Sequence, residues 1–341
     1  MFSPKYNITP HLLSNIKRIG TLIFELNSKR FSKVILHEME KAAREVSAHA
    51  STSIEGNPLP ITEVKKIMKL RPSPLRDSER EVLNYNEALL WLNKYTDDTL
   101  RFSLRLVVQI HKTVTQNLLP GYRCGKIRTE AVFVNNPETR KTIYWPPDVH
   151  EVTRLLKELL AFIKENEQKL DPLIIAGIFH KQFVLIHPFM DGNGRTVRLL
   201  TKGLLARMGL NTFNLFSFEN YYNKNVSKYF SFVGERGNYY DLEKQIDFTP
   251  WLEYFTDGII DELLRVSKIL QTAAITPDTV LQAHHKVILE HIKQNDFITD
   301  RIYATLTDRA KPTRNQDFNK LIELKLIERV GKGKATIYRL Q

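Results

Sequence analysis

Residues 187–198 read His187-Pro188-Phe189-Met190-Asp191-Gly192-Asn193-Gly194-Arg195-Thr196-Val197-Arg198. The run before them, Pro172 to Ile186, is apolar at most positions and reads as a buried helix. A Gly-Asn-Gly loop follows, and a second helix is expected from Gly194 to Met208. A helix start offers unpaired N–H groups and the positive end of the helix dipole, which suits phosphate oxygens. Gly192 and Gly194 let the backbone approach an anion with no side chain between. Arg195 and Arg198, three apart on the helix, present forked donors to one side of a polyphosphate. Asp191 beside that anion calls for a cation between them, and a hard carboxylate oxygen next to phosphates suits Mg2+. His187, whose ordinary pKa lies near neutrality, can take a proton from an attacking hydroxyl. Together these residues describe in-line transfer from a nucleoside triphosphate.

Outward from this stretch the reading is mostly helical. Apolar residues recur at three-to-four spacing over Phe24 to Ser53, Ser78 to Tyr95, Leu100 to Asn117, Val149 to Glu167 and Thr249 to Gln271. Asn57-Pro58-Leu59-Pro60 stops the first of these. Residues 120–147 differ. Ala131 to Val134 and Lys141 to Trp145 are rich in β-branched and aromatic residues around an Asn-Asn-Pro turn and predict a small hairpin. With no sheet to join, a two-stranded ribbon has to lean on another element. After Thr276-Pro277 the pattern is helix, helix, helix, then two short strands around Gly331 to Lys334, the layout of a winged helix-turn-helix. Thr313, Arg314, Asn315 and Gln316 would open its recognition helix, with Lys332 and Lys334 at the wing tip. Such a module takes DNA or protein, and its excess of basic residues is mild.

The chain has 341 residues, 42% hydrophobic and 26% charged, which excludes wholesale disorder and supplies ample core without disulfides or a structural metal. Its formal charge of +12 suits a polyanion: nucleotide phosphates, nucleic acid or an anionic membrane surface. A single cysteine, Cys124, excludes an internal disulfide and fits a cytoplasmic location. The opening MFSPKYNITP lacks the layout of a secretory signal, and the most apolar stretch is too short to span a bilayer, so no membrane partner is expected. His180 lies seven residues before His187 without a third ligand at suitable spacing, which argues against zinc. His284, His285 and His291 read as surface residues of a C-terminal helix.

Residues 187–198 resemble the motif H-P-F-x-[D/E]-G-N-G-R-x-x-R of the Fic family at every specified position. The resemblance extends over roughly residues 30–270 and implies a mostly α Fic fold. Family members typically transfer AMP from ATP to a hydroxyl side chain of a protein and release pyrophosphate. The resemblance implies His187 as the base and Asp191 as the Mg2+ ligand. It implies the Gly192-Asn193-Gly194 backbone as the α/β-phosphate cradle, Arg195 as a phosphate contact and Arg198 as the γ-phosphate partner. Pro120-Gly121-Tyr122-Arg123, the hairpin and Trp145-Pro146-Pro147 resemble the family's flap, which holds the target segment over the nucleotide. Tyr221 to Asn225 and Tyr229-Phe230 are similar to the adenosine-pocket stretch, with Asn225 bonding the nucleoside and Tyr229 or Phe230 flanking the base. Ser51-Thr52-Ser53-Ile54-Glu55-Gly56-Asn57 resembles the inhibitory [S/T]-x-x-x-E-[G/N] helix, in which the glutamate pairs with the second arginine of the motif, here Arg198.

The expected organisation is an N-terminal helical region over residues 1–98 carrying the inhibitory helix (about 30–56), and a catalytic core over 99–272 with the flap (about 120–147). A winged helix-turn-helix domain over 277–341 completes it. The expected activity is AMP transfer from ATP with Mg2+, onto a Ser, Thr or Tyr hydroxyl of a target protein or of the chain itself. The rival readings are a DNA-binding regulator with secondary Fic activity, removal of AMP with Glu55 aligning a water, and phosphoryl transfer. The last goes with a lysine where Gly194 stands, so the sequence favours AMP.

Overall fold

The computed structural model describes residues 2–28, 33–94, 102–136, 139–207, 214–273, 281–324, 326–331, 333 and 336–340. In chain order come α1 (Pro10–Ser28), α2 (Lys33–Ile54), α3 (Ile61–Leu70), α4 (Asp77–Lys94) and α5 (Leu104–Thr115). Next are β1 (Val134–Asn135), β2 (Thr142–Trp145), α6 (Val149–Asn166), α7 (Pro172–Ile186) and α8 (Asn193–Arg207). Then follow α9 (Glu219–Asn223), α10 (Val226–Val233), β3 (Gly237–Asn238), α11 (Tyr239–Leu242) and α12 (Thr249–Ala273). The last are α13 (Ala283–Asn295), α14 (Asp300–Leu306), α15 (Lys311–Glu323), β4 (Ile327–Val330) and β5 (Ile337–Leu340). The chain divides into two compact units, Met1–Ser28 with Ala43–Lys268, and Lys29–Ala42 with Ile269–Gln341. Expected boundaries near residues 98 and 277 lie outside the described residues.

The first unit is built around α7. Asp171 caps it by accepting the Leu173 N–H at 2.8 Å, Pro172 sits in its first turn, and every residue from Leu173 to Ile186 except Val184 is buried. A helix apolar all round has to be surrounded, and α6 and α8 pack against it. On another side α12 approaches closely at Gly177, whose carbonyl accepts the Trp251 indole N–H at 2.7 Å. His180 is a satisfied core residue, with ring nitrogens 3.0 Å from Thr201 Oγ1 and from the Tyr229 hydroxyl.

Three features depart from the sequence reading. The N-terminal helical pattern starts at Pro10 rather than Phe24, because Thr9 Oγ1 caps α1 by accepting the Leu12 N–H. Buried Asn15 of α1 then donates to Thr256 and Asp257 of α12. The hairpin is also not a free ribbon. β1 pairs antiparallel with β2, and β2 pairs parallel with β3, so the strands form a three-stranded sheet. Tyr144 of β2 is buried, and its hydroxyl donates to the Leu185 carbonyl.

In the second unit α13, α14 and α15 precede the antiparallel pair β4–β5, around a core that includes Ile288, Tyr303, Phe318 and Tyr338. The third departure is here: His285 is buried and His284 lies 3.2 Å from Asp317, so neither is a plain surface residue. Asp317 already accepts the Tyr303 hydroxyl and pairs with Arg309. The Gln282 N–H points at His285 Nδ1, which puts that ring's proton on Nε2. The cluster is closed by its own hydrogen bonds. Lys332 and Lys334 lie outside the described residues. Among the described residues no helix is long and apolar enough to cross a membrane.

A Cβ on Gly177 would stand 2.6 Å from Leu252 Cδ2 and 3.1 Å from Phe255 Cδ1, whereas one on Gly20 of α1 meets nothing within 4 Å. Gly177→Val should therefore destabilise the chain by about 2 kcal/mol or more through overpacking. Gly20→Ala should stabilise it by about 0.5–1 kcal/mol. Paired thermal melts check the contrast, and a neutral Gly177→Val would refute this α7–α12 packing.

Candidate active site

α7 ends at His187, whose backbone adopts the left-handed conformation (φ 49°, ψ 62°) while its N–H still bonds the Phe183 carbonyl. The ring is held from one side, with Nδ1 3.3 Å from the Val184 carbonyl. A carbonyl takes only a donor, so Nδ1 carries the proton and Nε2 is the basic nitrogen. Burial, seconded by the Arg128 guanidinium, pulls the imidazole below its ordinary pKa, and the carbonyl contact, Glu55 and Asp191 oppose this.

The loop from Pro188 to Gly192 is braced on every side. Asn193 accepts the Phe189 N–H and donates to the Phe189 carbonyl, both at 2.9 Å, so its side chain closes the loop on itself. His111 of α5 accepts the Gly125 N–H on Nδ1 at 3.1 Å, which leaves its Nε2–H to donate to the Asp191 carbonyl at 2.9 Å. Its ring stacks on Phe189 at 3.7 Å and 4°. Phe189 itself is fully buried, the core anchor expected of it. Gly192 has φ +79°, and a Cβ there would stand 2.8 Å from Thr115 Cγ2, so a side chain is excluded on both counts.

α8 begins on this loop, with Thr196 N–H bonding the Gly192 carbonyl. The N–H groups of Asn193, Gly194 and Arg195 then have no acceptor within the helix. Asp191 stands at their edge with its side chain 57% exposed, and its Oδ1 accepts from the Gly192 N–H and from Arg195. Arg195 is shared between Asp191 at 3.0 Å and Glu81 of α4 at 2.5 Å. One helical turn on, Arg198 is fully buried. Its Nε donates to Ser51 Oγ and its Nη2 to the Ser51 carbonyl, both at 2.8 Å, and Nη2 meets Glu55 Oε1 at 2.7 Å. α2 stops one residue before Glu55, at a turn where Gly56 takes φ +93°. The carboxylate, 24% exposed, thereby reaches over the start of α8, where a Cβ on Gly194 would collide with Glu55 Oε1. A further turn along both helices, Lys202 donates to Ser47 Oγ at 2.5 Å and pairs at 3.2 Å with Glu219, which also accepts from buried Tyr85.

Two observations bear on what the site can hold. Arg198 Nη1 and Arg195 Nε are buried with no hydrogen-bond partner. Beside them lies the close approach at Gly194 and three free N–H groups, a donor set that fits polyphosphate oxygens. The exposed Asp191 carboxylate is a hard oxygen ligand of the kind that Mg2+ takes alongside phosphates. His187, Asp191, Gly192 to Gly194, Arg195, Arg198, Ser51 and Glu55 are thus brought together. Asn225 is not. Its Oδ1 caps α10 by accepting the Lys228 N–H, a bond in which the Nδ2 donors take no part. Tyr229 is a core residue stacked on Tyr222 at 4.7 Å, leaving Phe230 as the exposed member of that pair. The sequence reading had no signal for His111, Arg128 or Glu81.

Residues 101–205 match the model of the Fic/DOC family. The chain carries a Fic domain. Protein adenylyltransferase Fic of Drosophila virilis is 27% identical over 198 residues, covering 55% of this chain and 39% of that protein. Its Drosophila melanogaster counterpart is 28% identical over 195 residues, 54% of this chain and 38% of that protein. The chain thus spans under two-fifths of the length of these relatives. A Fic family protein from Desulfovibrio desulfuricans G20 superposes with a TM-score of 0.64 at 21% identity, covering 100% of this chain and 98% of that one. Fic-1 (residues 134–508) from C. elegans gives 0.60 at 22%, covering 77% and 73%. The mostly helical Fic fold with few strands is therefore established.

Burial pushes the His111 imidazole in the Fic domain down to about 4. Unfolded histidine takes up a proton near pH 6.5, so stability is full above that pH and falls as pH drops toward 4. Urea unfolding at pH 7 and pH 4.5 should show His111→Phe losing about 2 kcal/mol less on acidification than the unmutated chain. Equal losses would exclude His111 as a source.

Proposed function

We propose that the chain is a protein adenylyltransferase, transferring AMP from ATP to a Ser, Thr or Tyr hydroxyl of a target protein or of itself. The observation that carries this is the pairing of a His187 whose basic nitrogen is Nε2 with an anion site of free N–H groups and unpartnered arginine donors. In this reading His187 Nε2 takes the proton of the attacking hydroxyl as its oxygen bonds to the α-phosphorus. The bond from the α-phosphorus to the bridging oxygen breaks, and pyrophosphate leaves. The N–H groups at the start of α8 hold phosphate oxygens, and Arg198 Nη1 is free to take the γ-phosphate. Arg195 orients Asp191. Mg2+ held by Asp191 would offset the charge that develops on the leaving pyrophosphate. A glycine at position 194, where phosphoryl-transferring members carry lysine, favours AMP as the group moved.

Glu55 is read as the brake. Its carboxylate occupies Arg198 and the space over Gly194, so it competes with the γ-phosphate for one guanidinium and turns the nucleotide away from in-line geometry. A bias of about 3 kcal/mol corresponds to roughly a hundredfold in rate. Residues 277–341 are read as a winged helix on the order of their elements. Arg314 on α15 is committed to Asp300 at 2.8 Å, which leaves Asn315 and Gln316 as its exposed polar pair and weakens the case for DNA reading there.

Incubation with ATP labelled on the α- or the γ-phosphate tests the reading. Glu55→Gly should incorporate α-label about a hundredfold faster than the unmutated chain, and no γ-label. His187→Ala in that background should abolish incorporation while leaving ATP binding within about threefold. Incorporation of γ-label would move the chemistry to phosphoryl transfer, and persistent labelling after His187→Ala would remove His187 as the base.

A further inference from the structure

Arg128 is a buried cation with no carboxylate in direct ion-pair contact among the described residues: only 3% of it is exposed, and Asp148 acts on it through space alone. Burying a guanidinium is costly unless its protons are taken up. Carbonyls take them. Nε donates to the His187 carbonyl at 2.8 Å, Nη1 to the Glu130 carbonyl at 3.2 Å and Nη2 to the Pro147 carbonyl. The backbone N–H of Arg128 donates to the Pro188 carbonyl at 2.9 Å. One residue therefore grips two successive peptides of the motif and both legs of the hairpin that runs between Glu130 and Pro147.

We infer that Arg128 is a positioning residue for His187, fixing its backbone through the carbonyl and tying the hairpin's entry and exit to the same guanidinium. The inference rests on the reading of His187 as the base. The need is physical. His187 has a Cβ and sits at φ 49°, a region uncommon for non-glycine residues, so surrounding bonds help to hold it there. The Phe183 carbonyl on its N–H and the Asn193 clamp act from the two sides along the chain. Arg128 acts from outside. Only a planar fork reaches three carbonyls lying in different directions, so lysine, a point charge on a flexible stem, is no substitute. The positive charge has a second effect. The charged groups acting on the ring are Arg128 from the segment between α5 and β1, Glu55 at the end of α2 and Asp191 from its own loop, and of these Arg128 alone favours the neutral imidazole.

Position and charge separate experimentally. In the Glu55→Gly background, Arg128→Lys keeps the charge but loses the fork, and Arg128→Gln loses both. Both should lower kcat on the order of a hundredfold, as a displaced base does, with KM for ATP changed less than about threefold. The acid limb of the pH–rate profile should move to higher pH in Arg128→Gln and stay in place in Arg128→Lys. Unchanged kcat in both variants overturns the inference. So does a fall that only tracks the folded fraction by circular dichroism, with the limb unmoved in Arg128→Gln. If Glu55→Gly transfers no AMP, the adenylyltransferase reading fails by itself, and NMR titration of the His187 ring in the full chain decides Arg128. Its midpoint should then rise in Arg128→Gln and not in Arg128→Lys, and no rise in Arg128→Gln overturns the inference.

Discussion

The buried guanidinium of Arg198 is the constraint around which the first unit is arranged. A charge with no exposed surface has to be met by acceptors from its own chain, and here they come from Ser51 and Glu55 at the end of α2. The pairing fixes the register of α2 on α8, and one turn further along both helices Ser47 and Lys202 repeat the contact. Yet the solvation is incomplete. Nη1 is left without a partner, next to N–H groups that the helix start also leaves free. An incompletely satisfied cation at a helix start is a site with a preference for anions, and Glu55 is the anion the chain supplies itself.

The rest of the fold holds the loop in front of that helix start. α7 is rigid because it is buried all round, so His187 at its end has a defined place. Asn193 and His111 then hold the Phe189 and Asp191 backbone of the loop, each bonding a backbone atom rather than a ligand. Arg195, which we propose as a phosphate contact, is itself oriented by carboxylates, Glu81 and Asp191. In the proposed transfer, preorganisation of this kind would lower the reorganisation needed as charge develops.

The contiguous part of the site was legible in the sequence. From His187 to Arg198 the spacing alone places a histidine, a carboxylate, a glycine turn and two arginines around one helix start. What lay beyond was legible in proportion to how local its cause is. The start of α1 follows from Thr9 and Pro10, a readable cap. The third strand carries no such pattern, because Gly237 and Asn238 become a strand only by pairing with Tyr144 and Trp145. Asn225 shows the converse. An asparagine before a helix reads at once as a cap and as a ligand contact, and the structure shows the cap, made through Oδ1. His111, Arg128 and Glu81 are set by tertiary pairing across the chain, to which periodicity is blind. Glu55 and Arg198, 143 residues apart, could be joined from sequence only through the family resemblance.

The central claim is that one guanidinium is contested by Glu55 and a terminal phosphate. Calorimetric affinities of ATP and ADP for the unmutated chain and for Glu55→Gln test it most directly, because the two nucleotides differ only in the phosphate that Arg198 would take. A shared guanidinium requires the preference for ATP over ADP to grow by about tenfold or more in Glu55→Gln, with ADP affinity little changed. The same preference in both proteins would contradict it.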